Sequence, residues 1–212
     1  MLEQLLKFFV VFLVVVEPLS IVPVFAGLAA GASDAYRRRM AIKAITIAAC
    51  IVLVFALGGA PFLDVMGISI ESFRIFGGLL LFLIALEMVF ARESGTRTTT
   101  DERVESRRRA DISVFPLAFP LISGPGALVT VLLWFGPVSI REQPLMFAGL
   151  LAIAAAVLAM TLLVMWLAAP IMRVLGVTGG NVANRLFGVI LGALAVQFVV
   201  DGVRASFGGA EG

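Results

Sequence analysis

Apolar residues fall along this chain in six long blocks, at about Leu5–Ala30, Met40–Leu63, Phe73–Ala91, Ile112–Phe135, Pro144–Ala169 and Val182–Val200. None shows the short alternating segments of a membrane barrel, and each is long enough as a helix to cross about 30 Å of hydrocarbon with some tilt. The pattern predicts an all-α polytopic membrane protein with six transmembrane helices. Polar residues are concentrated between blocks, above all in 92–111, where Arg mixes with Asp, Glu, Ser and Thr. That stretch reads as a solvated linker between two three-helix halves, 1–91 and 112–212.

The two halves resemble each other. "PLSIVP" (Pro18–Pro23) matches "PLISGP" (Pro120–Pro125) at an offset of 102 residues. "APFLDVMGIS" (Ala60–Ser69) matches "APIMRVLGVT" (Ala169–Thr178) at 109, and "RIFGGLLL" (Arg74–Leu81) matches "RLFGVILG" (Arg185–Gly192) at 111. Ordered matches with slowly growing offsets indicate an internal repeat. Three spans per half is an odd number, so the second copy enters the membrane from the opposite side. Inverted repeats whose first helices are interrupted point to a secondary transporter with a site near the bilayer midplane.

Composition sharpens this reading. Apolar residues make up 61% of the 212 and charged residues only 14%, outside the range of soluble domains. There is no histidine and one cysteine, Cys50, so Ser-His-Asp and Cys-His catalysis, His-ligated metals and an intrachain disulfide are all excluded. Of the 16 Lys and Arg, 12 fall on one side of the alternating loops, including Arg37–Arg39, Lys43, Arg92 and Arg107–Arg109. The positive-inside rule places that side in the cytoplasm and both termini outside. The basic balance therefore reads as topology, with a lipid bilayer and a small-molecule substrate as partners and no nucleic acid. The first block, long and interrupted, reads as a span and not as a cleaved leader.

The interruptions carry the candidate chemistry. Each proline withholds a donor from the carbonyl four residues earlier, so Pro18, Pro23, Pro120 and Pro125 should each free an oxygen that must face protein, water or ligand. Gly124 and Gly126 flank Pro125 and permit unwinding. A half-helix starting there would aim N–H groups at an anion, and the half-helix before it would end in carbonyls suited to a cation. Glu17 places a charge beside the first break, where a charged residue costs about 2.5–3.5 kcal/mol on insertion scales. It would contact a substrate ammonium or carry a coupling proton, or else act as a structural partner. The substrate-binding candidates are Glu17, Pro18, Ser20, Pro23, Ser123, Gly124, Pro125 and Gly126. The Ser20 and Ser123 hydroxyls could equally repay freed carbonyls.

Thr130, Asn181, Asn184, Gln197 and Glu87 are supporting candidates, against the competing role of interhelical hydrogen bonding. Arg74 and Arg185 read as interfacial anchors, Trp134 and Trp166 as belt residues, and Gly77, Gly78, Gly188 and Gly192 as close-packing positions. The small-residue faces allow a homo-oligomer as well as packing within one chain. No G-x-x-x-x-G-K-[ST] is present, no resident metal or cofactor is expected beyond a coupling H+ or Na+, and no enzyme is expected. An exporter of other small metabolites, a channel and a non-transporting membrane subunit are the competing readings.

Four segments carry a family resemblance: "EPLSIVPVF" near the start, "GISIESFRIFGGLLLFLIALEM" in the third block, "PLAFPLISGPGALVT" in the fourth and "GVTGGNVANRLFGVILGALAVQFVVDGV" at the end. Through them the chain resembles the MarC family, the membrane proteins that include SnatA-type neutral amino-acid transporters. The resemblance implies a six-helix protein of the bacterial inner membrane that carries glycine, alanine and similar small neutral amino acids. At the first break the family usually has an Asp-Pro pair followed by Gly and Asn. Here Glu17, Pro18, Leu19, Ser20 and Ile21 stand instead, which alters site volume and polarity. "SGPG" at Ser123–Gly126 is intact.

Overall fold

The computed structural model describes residues 1–29, 31–90 and 111–208, with the side chains of 169, 172–181, 183 and 184 outside that description. The described residues are all-helical: α1 (Leu2–Val16), α2 (Pro18–Leu28), α3 (Asp34–Val65), α4 (Ile70–Phe90), a wide-turn helix α5 (Ser113–Ile122), α6 (Pro125–Phe135), α7 (Pro144–Trp166) and α8 (Ala168–Gly208). Five spans are long and apolar enough to cross a membrane: α1 with α2, α3, α4, α7 and Arg185–Phe207 of α8. A sixth is α5 with α6, bent by 56° at the break between them.

Several boundaries differ from expectation for local reasons. Helix α3 starts six residues before Met40 because Ser33 caps it, accepting from the Tyr36 N–H at 3.3 Å. Its arginine-bearing first turns thereby extend beyond the apolar block. It ends after Val65 where Gly67 takes φ 68°, letting Ile68 N–H reach Leu63 O at 2.9 Å and Gly67 N–H reach Asp64 O at 3.0 Å. Those two bonds satisfy carbonyls that the helix end would leave open. The segment between the fifth and sixth apolar blocks is helical and forms the start of α8. Of the linker 92–111, only Asp111 lies within the described residues.

Small residues set the packing. Helices α4 and α8 lie antiparallel: Gly202 faces Ile75, Gly78 faces Ala195 and Val199, and Gly188 faces Ala85 and Met88. A Cβ on Gly78 would stand 2.8 Å from the Ala195 carbonyl oxygen and one on Gly188 3.0 Å from that of Ala85, so backbone meets backbone along this seam. Gly77, one residue over, turns to Val129 and Leu133 of α6, and Gly59 of α3 admits Leu132. The buried side of α3 is the stripe Ala41, Ala44, Ala48, Val52 and Ala56, which lets the broken spans approach it closely.

The two ends of the bundle are built differently. At one, Phe8 of α1 stacks near Phe12 and meets Trp134 and Phe135 of α6 at ring distances of 5.7 and 5.9 Å, and Phe135 meets Phe147 of α7 at 5.1 Å. Trp134, expected in an interfacial belt, packs inward here, and its indole N–H is buried without a hydrogen-bond partner. At the other end, Arg37 Nε donates to the Ala29 carbonyl at 3.2 Å, closing the C-terminus of α2 with a cation. Lys43 of α3 pairs there with Asp111, just ahead of α5, and the hydrogen bond from Lys43, aided by Ser113, lowers the Asp111 carboxyl to about 2. The first turns of α3 and the residue leading into α5 therefore lie together at one end of the bundle.

Candidate functional site

The first break is a single residue. Glu17 takes φ 53° and ψ 60°, the left-handed region, which costs an L-residue roughly 1–2 kcal/mol. Its N–H closes α1 on the Leu13 carbonyl at 3.0 Å, and its carbonyl accepts from Ser20 N–H at 3.0 Å to open α2. Pro18 is the first residue of α2, where a missing N–H costs least, yet it still denies the Val14 carbonyl its helical donor. The Glu17 side chain is only 5% exposed, and its Oε1 accepts from the Ser20 hydroxyl at 3.2 Å. Counting about 1.5 Å per residue from the chain start places this carboxylate roughly 24 Å along the span, well inside it.

The second break is longer. In α5, "FPLAFPLI" is a tandem tetrapeptide in which Phe115 and Phe119, each preceding a cis proline, take extended conformations at φ −127° and −134°. Residues before proline are pushed toward that region. The chain coils in wider turns, with Leu117 N–H bonded to Ile112 O at 3.3 Å and Ser123 N–H to Ala118 O at 2.8 Å. It then restarts as α6 with Gly124 as N-cap and Pro125 as first residue. A side chain on Gly124 would collide with the Pro120 carbonyl, so glycine is required for this close approach. Leu128 N–H returns to the Gly124 carbonyl at 3.1 Å, while the N–H groups of Gly126 and Ala127 precede any carbonyl one turn back.

At the second break lies a small cavity of about 50 Å³, lined by Val15, Leu80, Ile84, Leu121, Gly124, Pro125, Gly126 and Ala127. Val15, two residues before Glu17, joins the first break to the second: a Cβ on Gly126 would stand 3.0 Å from Val15 Cγ1 and 2.9 Å from Ile84 Cδ1. Ser123 is fully buried and its hydroxyl donates to the Ala48 carbonyl of α3 at 3.2 Å, anchoring the break to the middle of that helix. Thr130, also fully buried, bonds the Gly126 carbonyl of its own helix at 2.8 Å.

The structure thus gathers Glu17, Pro18 and Ser20 at one break and Ser123, Gly124, Pro125, Gly126 and Thr130 at the other. Pro23 belongs to neither: it lies inside α2 with its ring exposed, so the expectation that both prolines of the first pair interrupt the helix is corrected. Gln197 is exposed and donates to Asp201 of its own helix at 2.8 Å. Glu87 is half-buried on α4, one turn beyond Ile84. Asn181 and Asn184 lie outside the described side chains. Val15, Leu80, Ile84, Leu121 and Ala127 line the cavity without having been singled out in the sequence. The signal available was the spacing Gly77, Leu80, Ile84, one helix face descending from the glycine pair.

The chain aligns along almost its full length with known proteins. It is 33% identical over 204 residues to the UPF0056 membrane protein YhcE of Escherichia coli (strain K12), covering 96% of this chain and 93% of that one. It is 34% identical over 209 residues to the UPF0056 membrane protein YvbG of Bacillus subtilis (strain 168), covering 98% and 97%. A UPF0056 membrane protein of Aquifex aeolicus (strain VF5) is 36% identical over 201 residues, covering 93% and 91%. No solved structure matches the chain. The family model for MarC integral membrane proteins matches residues 2–207, and with six apolar spans and two interrupted ones behind that match, this chain belongs to the MarC family of integral membrane proteins.

Proposed function

We propose that this chain is a secondary transporter of small neutral amino acids, glycine and alanine in kind, coupled to an ion and working by alternating access of two inverted three-helix repeats. It acts in the bacterial inner membrane with both termini on the periplasmic side, and performs no chemistry on its cargo. The observation that carries this reading is the cavity where the two interrupted spans meet. Gly126 and Ala127, in the first turn of α6 and so at its positive end, are among its lining residues. Val15, also in the lining, leads to Glu17, a buried carboxylate held in a strained backbone conformation. Strain of this kind persists where the surroundings enforce it, and an ionisable group inside a span marks a site by default.

The division of labour follows from charge. The α6 N-terminus receives a carboxylate without a formal cation, so no second charge has to be desolvated. The carboxylate of Glu17 suits an ammonium group or a coupling cation, and Ser20 holds it in place. A zwitterion satisfies both sites at once. The cavity's small volume favours the smallest side chains.

The test is uptake of labelled glycine, alanine and serine into proteoliposomes with imposed proton or sodium gradients. Accumulation above equilibrium that follows the gradient is the expected result. Absence of both uptake and counterflow, in protein shown to be folded, would reject transport of this class.

A further inference from the structure

The cavity at the second break has an apolar wall, which the transport reading uses only through its small volume. The wall is made by Val15 of α1, Leu80 and Ile84 of α4, and Leu121 of α5. Val15 and Ile84 are buried, and both close on Gly126: a methyl group there would come within 2.9 Å of Ile84 Cδ1, 3.0 Å of Val15 Cγ1 and 3.3 Å of Leu81 Cδ2. A water-sized group needs roughly 10–15 Å³ on this measure of volume, so the cavity of about 50 Å³ holds only a few heavy atoms. The distances to Gly126 show why it is no larger: branched side chains from α1 and α4 converge on this glycine.

We infer that Ile84, with Val15 opposite it, is the specificity-determining pair of this protein, setting the largest side chain the site accepts. The inference rests on the transport reading above and deepens it. The substrate carboxylate lies at the Gly126 and Ala127 N–H groups, and its side chain meets Ile84 and Val15. Glycine and alanine fit; branched amino acids are rejected by collision with the wall. Apolar walls discriminate mainly by excluding excess volume, and a single methylene is worth about 10- to 200-fold in such a pocket. Ile84 is the more telling member, because α4 is continuous where α1 ends one residue beyond Val15.

The experiment compares uptake and counterflow of labelled glycine, alanine and valine by the wild-type protein, Ile84→Val, Ile84→Ala and Gly126→Ala in proteoliposomes. Leu83→Ala, on the exposed face of the same helix, serves as control. The expected result is a valine-to-alanine uptake ratio that rises at least about tenfold in Ile84→Ala and less in Ile84→Val. Gly126→Ala should shift preference the other way, losing alanine before glycine, and Leu83→Ala should keep the wild-type ratio. Ile84→Val is the safeguard should Ile84→Ala fold poorly, since a single methyl is removed. If wild type carries glycine and alanine but the ratio is unchanged in folded Ile84 variants, the wall is not the selector and the transport reading stands. If wild type carries none of the three, the transport reading fails and takes the wall with it.

Discussion

The two interrupted spans carry matching sequences and solve the same problem in opposite ways. Pro18 and Pro23 align with Pro120 and Pro125, yet the helix restarts at the first proline of one pair and at the second of the other. In the first span a single left-handed residue, Glu17, makes the break, and the chain then runs helically through Pro23. In the second, disturbance begins at Phe115 and ends only at Gly124. The difference lies in the residues around the second proline. Gly124 and Gly126 make close contacts, with the Pro120 carbonyl and with Ile84 and Val15, that side chains such as those of Val22 and Val24 in the aligned places would block. Proline marks where a helix can fail, and its neighbours decide whether it does.

The contrast breaks most sharply at Gly124. Gly124→Val installs in the second break what the first already has at Val22, and drives a side chain into the Pro120 carbonyl. We expect transport to be lost and thermal stability in detergent to fall by about 1–3 kcal/mol or more, as overpacking does. Uptake at wild-type level would mean that α6 restarts elsewhere.

Glu17 separates charge from backbone. Glu17→Gln keeps size and strain and should abolish gradient-driven accumulation, with melting close to wild type. Glu17→Gly removes the left-handed penalty along with the charge, so it should be equally inactive yet within about 1 kcal/mol of wild type in stability. Recovery of coupled uptake by Glu17→Asp alone would show that the carboxylate, and not the shape of the turn, is the requirement. Pro23→Ala should have a smaller and opposite effect. It restores a donor to the Leu19 carbonyl inside a continuous helix, raising stability by about 1–3 kcal/mol with transport kept. Pro125→Ala, at a helix start, should give no such gain.

The smallest effect is at the end of the bundle. With its folded value near 2 against an ordinary 3.8, Asp111 stabilises the fold fully above about pH 4, and that contribution disappears as pH falls through 2. Acid melting of wild type should therefore show a drop across this window that Asp111→Asn lacks. Identical profiles would mean that the contact with Lys43 adds nothing to stability.

Long apolar blocks made the spans legible, because nothing else in water-soluble chemistry needs them. Gly78 and Gly188 of the α4 and α8 seam were legible for a similar reason, since small residues at helical spacing have few other uses in lipid, whereas Gly202 was not singled out and Gly77 turned to α6. Glu17 stood out through cost alone. The reversed roles of the aligned prolines were not legible, because helix continuation at Pro23 depends on tertiary packing. Nor was the cavity wall: in a chain this rich in Ile, Leu and Val, the few that face a void look like the many that face lipid. The inward turn of Trp134 was hidden likewise, since it follows from Phe8 more than a hundred residues away.

Gly77 and Gly78 give α4 two bare faces, one against α6 and one against α8. Each face is a notch that a neighbour's side chain fills, Val129 of α6 in one and Val199 of α8 in the other. The half-helix that lines the cavity and the long last helix are thereby keyed to adjacent residues of the same α4. A single methyl group on either glycine would evict a valine from its notch and push the two helices apart.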